Sequence, residues 1–124
     1  MANIVVIDDE AGIRRVTSRT LEIAGHHVVA FADGRAGLDH IAREVPDLLI
    51  TDIFMPEMEG LETIMRVRAI DANLPIIAMS GISIEGSDYL RIAEKFGAVA
   101  TLKKPFRAAE LIGLVAQLLA RTST

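Results

Sequence analysis

The chain has 124 residues, 51% of them hydrophobic, a formal net charge of −4 and no cysteine. That composition suits one compact domain over 1–124 with a real core, and it argues against disorder. It excludes a disulfide framework, a thiolate nucleophile and a zinc–thiolate site, and it offers neither the basic patch of a nucleic-acid surface nor an apolar run long enough for a bilayer.

The N-terminus runs straight into a strand pattern rather than a signal peptide, so a cytoplasmic location is expected. Asn3-Ile4-Val5-Val6-Ile7 is an apolar, β-branched run that suits a strand buried on both faces. It ends in Asp8-Asp9-Glu10, which can cap a following helix or gather around a cation. Ile13, Val16, Thr17, Thr20, Leu21 and Ala24 recur at helical spacing, and Gly25 stops that helix. His26 and His27 read as ordinary surface loop residues. Val28–Phe31 is the second strand, Asp33-Gly34 a turn signal, and Ala36, Leu38, Ile41 and Ala42 a short helix ending before Pro46.

Leu48-Leu49-Ile50 is a third buried strand, with Asp52 at its mouth and Met55-Pro56 barring simple continuation. Gly60 opens the next helix, carried by Leu61, Ile64, Met65 and Arg68. Pro75–Met79 is the fourth strand, ending in Ser80-Gly81, which can form a plain turn or a close anion contact. A helix is expected over 84–96, with Leu90, Ile92 and Ala93 inward and Gly97 as its stop. Val99–Leu102 is the fifth strand, Lys103-Lys104-Pro105-Phe106 ends it, and Arg107–Ala120 is the last helix. In that helix Ala108, Leu111, Ile112, Leu114, Val115, Leu118 and Leu119 form a stripe spanning roughly 200°, wider than one core contact requires, which raises a partner-binding or dimer face.

This alternation of five strands and five helices implies a parallel sheet with right-handed crossovers and helices on both faces. Asp8, Asp9, Asp52, Ser80 and Lys104 then all fall on one edge of the sheet, where open α/β folds bind ligands. Clustered carboxylates suit Mg²⁺, which would offset the repulsion between Asp9 and Asp52; Glu10 is expected to contribute less than Asp9. Asp52, on the central strand, is the expected nucleophile for a phosphoryl group. Lys104 can reach one phosphoryl oxygen and Ser80 can donate to another.

Asp8-Asp9 after the first strand, Asp52 with Met55-Pro56-Glu57-Met58-Glu59-Gly60, Ser80-Gly81 and Lys104-Pro105-Phe106 resemble the receiver domain of two-component response regulators. The resemblance covers nearly the whole chain, in the right order. It implies a flavodoxin-like, three-layer α/β fold with strand order 2-1-3-4-5. It also implies Mg²⁺-dependent phosphoryl transfer to Asp52 from a histidine kinase or histidine phosphotransferase. Asp8 and Asp9 would serve the metal together with Asp52, and the Phe54 carbonyl would complete its shell. Ser80 would be the switch hydroxyl, Lys104 would bind the phosphoryl group, and Lys104-Pro105 would be cis. Thr101 stands where the family usually carries an aromatic residue, and Glu59 replaces the commoner Asp before Gly60.

A haloacid-dehalogenase-type phosphohydrolase would want a second Asp two residues after its nucleophile, where Phe54 stands. A flavin-binding flavodoxin would want a phosphate-cradling loop in place of Asp8-Asp9-Glu10. The implied partners are the phosphodonor protein and a downstream target or an output domain outside this chain, with no nucleic acid and no membrane; the last helix adds a phosphorylation-dependent homodimer as an expectation. Phe54 and Ile82 lie two residues after Asp52 and Ser80, and neither side chain can orient a water, so self-dephosphorylation is expected to be slow.

Overall fold

The computed structural model describes residues 1–53, 60–81, 91, 93–95 and 97–122. The strands are β1 (Asn3–Ile7), β2 (His27–Phe31), β3 (Leu48–Asp52), β4 (Ile76–Ser80) and β5 (Ala100–Lys103). The helices are α1 (Ala11–Ile23), α2 (Gly34–Arg43), α3 (Gly60–Ile70) and α4 (Ala108–Thr122). Arg91 and residues 93–95 are also helical, where a further helix between β4 and β5 is expected. All five strands are parallel, in the order β2-β1-β3-β4-β5. This is the expected flavodoxin-like arrangement.

The pleat of β1 divides the core. Val5 and Ile7 point to one face, where Ile41 of α2 and Ile64 and Val67 of α3 cover them with Leu49, Ile76 and Ala78. Ile4 and Val6 point to the other face, covered by Leu21 of α1 and by Leu111, Val115 and Leu118 of α4. Every residue of β3 and β4 is buried, which explains why those runs read as continuous rather than alternating. Gly37 lets α2 lie against β1, because a Cβ there would run into the Ile7 side chain.

Several local expectations change. Asp33-Gly34 is a helix start rather than a free turn: Asp33 Oδ1 accepts from Ala36 N–H at 2.8 Å, and Gly34 is the first residue of α2. His27 is not a loop residue but the first of β2, its N–H donating to the Ala2 carbonyl. The apolar stripe of α1 is narrower than its sequence suggests, since Thr17 and Leu21 are buried while Val16 is 57% exposed. Gly25 does stop α1, with φ at +100°. The stripe of α4 is partly spent on the core: Leu111, Val115 and Leu118 are buried, and Leu114 and Leu119 pack against the same cluster. That leaves less of it for a second protein. Leu90, Ile92 and Phe96 lie outside the described residues; Ala93 is fully buried, as expected, and Gly97 has φ at +125°.

Candidate functional site

The C-terminal ends of β1, β3, β4 and β5 meet at one edge. β1 delivers Asp8, whose N–H donates to the Phe31 carbonyl and whose own carbonyl accepts from the Arg14 guanidinium at 2.8 Å. Asp8 Oδ1 accepts from Glu10 N–H at 2.9 Å. Glu10 occupies the N-cap position of α1, but its side chain makes no cap hydrogen bond. The Glu10 carboxylate is therefore not spent on capping α1.

β3 delivers Asp52 as its last residue, 3% exposed. The chain returns directly over it: Gly60 N–H donates to the Ile53 carbonyl at 3.2 Å, and a Cβ on Gly60 would collide with the Asp52 carbonyl oxygen and Ile53 Cα. The glycine is thus required by the close approach to the backbone of Asp52 and Ile53. Phe54, Met55, Pro56, Glu57, Met58 and Glu59 lie outside the described residues, as does Ile82. β4 delivers Ser80, fully buried and one residue beyond Met79, the register partner of Asp52. Its hydroxyl donates to the Gly81 carbonyl at 3.4 Å, and its carbonyl accepts from Lys104 N–H at 2.7 Å. Thr101 is half-buried in β5, in register with Ala78.

Lys104 follows β5, and its peptide bond to Pro105 is cis, as expected. Its side chain runs back across the sheet edge into the acids. Nζ lies 2.7 Å from Asp8 Oδ2, 2.9 Å from Asp52 Oδ2 and 3.4 Å from Glu10 Oε1. The contact with Asp8 is an ion pair without an aligned hydrogen bond, whereas Nζ donates to Asp52. Asp8, Asp9, Glu10 and Asp52 each bring a carboxylate oxygen to a group whose members lie within 4.8 Å of one another.

Four carboxylates gathered together, three of them touching the one ammonium, leave a local excess of negative charge. Burial is the largest influence on Asp8 and raises its pKa, with the Asp52 charge adding to it; the Lys104 pairing and the Glu10 N–H only partly offset this. Burial alone would push Lys104 down, but its close pairing with Asp8 and Asp52 and their charges outweigh it, so its pKa is pushed up to about 12. The two directions agree physically: one shared cation is strongly held, yet it cannot satisfy every acid.

The structure thus brings Asp8, Asp9, Asp52 and Lys104 together and sets Ser80 at the same edge. It adds Arg14, which sequence reasoning passed over, and it gives Glu10, expected to contribute less than Asp9, a contact with Lys104. Arg14 gave no signal in the sequence, because its role depends on the path of the turn into α1. Beside the cluster opens a cleft of about 320 Å³ lined by Glu10, Ile13, Gly81, Lys104 and Pro105. None of the described helices is long and apolar enough to cross a membrane.

Residues 4–116 match the family described as Response regulator receiver domain. Among curated proteins, the chain is 36% identical over 121 residues to Response regulator MprA of Mycolicibacterium vanbaalenii, covering 97% of this chain and 51% of that protein. It is 36% identical over 118 residues to the probable transcriptional regulator ycf27 of Porphyridium aerugineum, covering 95% of this chain and 48% of that one. The chain thus spans about half the length of the curated relatives it matches. Among solved structures, a response regulator receiver domain protein from Clostridium thermocellum superposes with a TM-score of 0.92 at 29% identity, covering 99% and 98% of the two chains. The chemotaxis protein CheY4 of Vibrio cholerae does so with a TM-score of 0.84 at 31% identity, covering 95% and 98%. With its acids and lysine gathered at the expected edge of the expected sheet, the chain belongs to the response regulator receiver domain family.

Proposed function

We propose that 1–124 works as one receiver unit that takes a phosphoryl group onto Asp52 from a histidine kinase or histidine phosphotransferase, in a Mg²⁺-dependent reaction. The observation that carries this reading is the placement of Asp52 at the end of the central strand β3, 2.9 Å from Lys104 Nζ and inside a four-carboxylate group. The donor set fits the metal. It is all hard oxygen, and Asp9 and Glu10 are exposed, so a hydrated cation can reach the acids without unfolding the edge. Asp8, Asp9 and Asp52 would hold Mg²⁺, with the Phe54 carbonyl. The ion would neutralise charge on the phosphoryl oxygens.

The Asp52 carboxylate attacks phosphorus as the phosphorus–nitrogen bond of a phosphohistidine breaks. The bonding electron pair leaves with the imidazole, which takes up a proton. Lys104 then exchanges a carboxylate partner for a phosphoryl oxygen, and the buried Ser80 hydroxyl, one register step from Asp52, donates to another. Arg14 and the Asp8–Glu10 hydrogen bond keep the acidic turn in place. With Thr101 in place of an aromatic residue, the downstream readout falls to contacts other than an aromatic rotamer at that position. A cytoplasmic setting and a downstream target or output domain follow from the same reading.

The test is labelling. Acetyl phosphate with Mg²⁺ should phosphorylate the wild type, and chelation or Asp52→Asn should abolish the label. Undiminished labelling of Asp52→Asn would reject Asp52 as acceptor. The label on the wild type should decay slowly, and Phe54→Asn or Ile82→Glu should hasten its loss; a half-life of seconds insensitive to both would reject that part of the reading.

A further inference from the structure

Glu10 is the acid of the cluster that the reaction above does not use. Its side chain is 63% exposed, against 0% for Asp8 and 5% for Asp52, yet Oε1 lies 3.4 Å from Lys104 Nζ. Its backbone is fixed: the N–H donates to Asp8 Oδ1 at 2.9 Å, and the carbonyl accepts from Arg14 N–H at 2.9 Å. Only the side chain is free to choose where it points. Glu10 also lines the cleft with Ile13, Gly81 and Pro105, so it stands on the open side of the buried ammonium.

Lys104 occupies the oxygens that a divalent cation would need, Asp8 Oδ2 and Asp52 Oδ2. Two cations a few ångströms apart repel strongly where water is scarce. Entry of a metal therefore requires the ammonium to give ground, and Glu10 is the acceptor already touching it on the cleft side. We propose that Glu10 is a positioning residue that acts through Lys104: it draws the ammonium toward the cleft when a divalent cation takes its place between Asp8 and Asp52. The proposal rests on the Mg²⁺-dependent reading above and assigns the metal-coupled movement of the lysine to this residue.

A double-mutant cycle on Mg²⁺ affinity tests it, by isothermal titration of the unphosphorylated protein. Glu10→Gln should weaken Mg²⁺ binding about threefold, the scale on which a half-exposed ion pair works. Glu10→Asp keeps the charge but shortens the reach, and it should weaken binding to a similar degree. Lys104→Met should tighten binding, and in that background Glu10→Gln should have no further effect. Equal weakening by Glu10→Gln with and without Lys104 would overturn the proposal, since Glu10 would then act on the metal directly. Wild-type affinity in Glu10→Asp would overturn it too, leaving only a diffuse charge effect; should Lys104→Met not fold, this comparison decides alone. Absence of Mg²⁺ binding by both the wild type and Lys104→Met would instead remove the reading on which the proposal stands.

Discussion

The two ends of the sheet use the same residue type in opposite ways. At the N-terminal end, Asp47 is exposed, and its Oδ2 accepts from Asn3 N–H at 2.8 Å, closing the start of β1 onto the turn before β3. Nearby, Ala2 N–H donates to His26 Nδ1 at 3.4 Å. At the C-terminal end, Asp8 and Asp52 are buried and share a single lysine. The first aspartate has a backbone donor and lies open to solvent. The others are held where repulsion and desolvation oppose folding. Polar groups at the near end serve stability, and those at the far end are kept at stability's expense, which is where chemistry needs strained charge.

The sharpest way to break this contrast is to remove the shared cation. Lys104→Met leaves Asp8, Asp52 and Glu10 facing one another, and stripping one partner from a buried ionic cluster costs about 3–5 kcal/mol. Chemical denaturation without metal should show a loss of that order, shrinking with millimolar Mg²⁺. The pH dependence has a definite sign. Because the folded Lys104 titrates above its ordinary 10.5, its contribution is fully present below that pH and fades as pH rises through about 12. The gap between wild type and Lys104→Met should therefore close over that window; a constant gap would mean that the ammonium charge is not what the fold uses.

Next in size is the backbone beneath Asp52. Gly60→Ala places a methyl group against the Asp52 carbonyl and Ile53 Cα, both main-chain atoms that cannot step aside. Forcing extra atoms into such a site costs about 1–3 kcal/mol, and the upper half of that range is expected here. A melting temperature within a degree of wild type would show that the approach is looser than it looks.

Asp8→Asn should move the other way. It removes a carboxylate whose pKa burial raises, while the amide oxygen can still accept from Glu10 N–H. Stability without metal should rise by on the order of 1 kcal/mol, about 4 °C in melting temperature for a domain of this size, while Mg²⁺ affinity falls. Acid should mimic the effect: a group with a raised folded pKa favours the fold when protonated, so the advantage of Asp8→Asn should shrink as pH falls through the Asp8 titration. An Asp8→Asn protein less stable than wild type at neutral pH would mean that the Lys104 pair outweighs the burial cost.

Much of this was legible in the sequence because the signals were redundant. Continuous apolar runs at 4–7 and 48–50, each followed by acids, gave strand type and sheet edge together. Lys104-Pro105 and Ser80-Gly81 then had one sensible place to be. What escaped depended on neighbours distant in the chain. The spacing of Val16 and Ala24 fits a helix, but only packing decides that Val16 faces water. The stripe of α4 looked surplus because a helix pattern does not reveal how much core lies under it. Asp33 looked like part of a turn because an N-cap and a turn favour the same residues. Glu10 looked secondary because its partner is 94 positions away.

The smallest expected effect comes from the quiet end of the sheet and is the control for the rest. Asp47→Ala deletes one hydrogen bond, to Asn3 N–H, at an exposed position. The freed N–H can turn to water, so the full penalty of a buried orphan does not apply. A loss of about 0.5–1 kcal/mol is expected, the net value of an ordinary hydrogen bond. It should be independent of Mg²⁺, because Asp47 precedes β3 while the carboxylate group lies beyond its far end. Melting curves of Asp47→Ala and Asp8→Asn with and without metal place the two ends side by side. One aspartate removed should destabilise slightly at every metal concentration. The other should stabilise without metal and lose its advantage with it. If Asp47→Ala also changed the metal-dependent shift, the two ends would be coupled through the sheet, and the division drawn between them would fail.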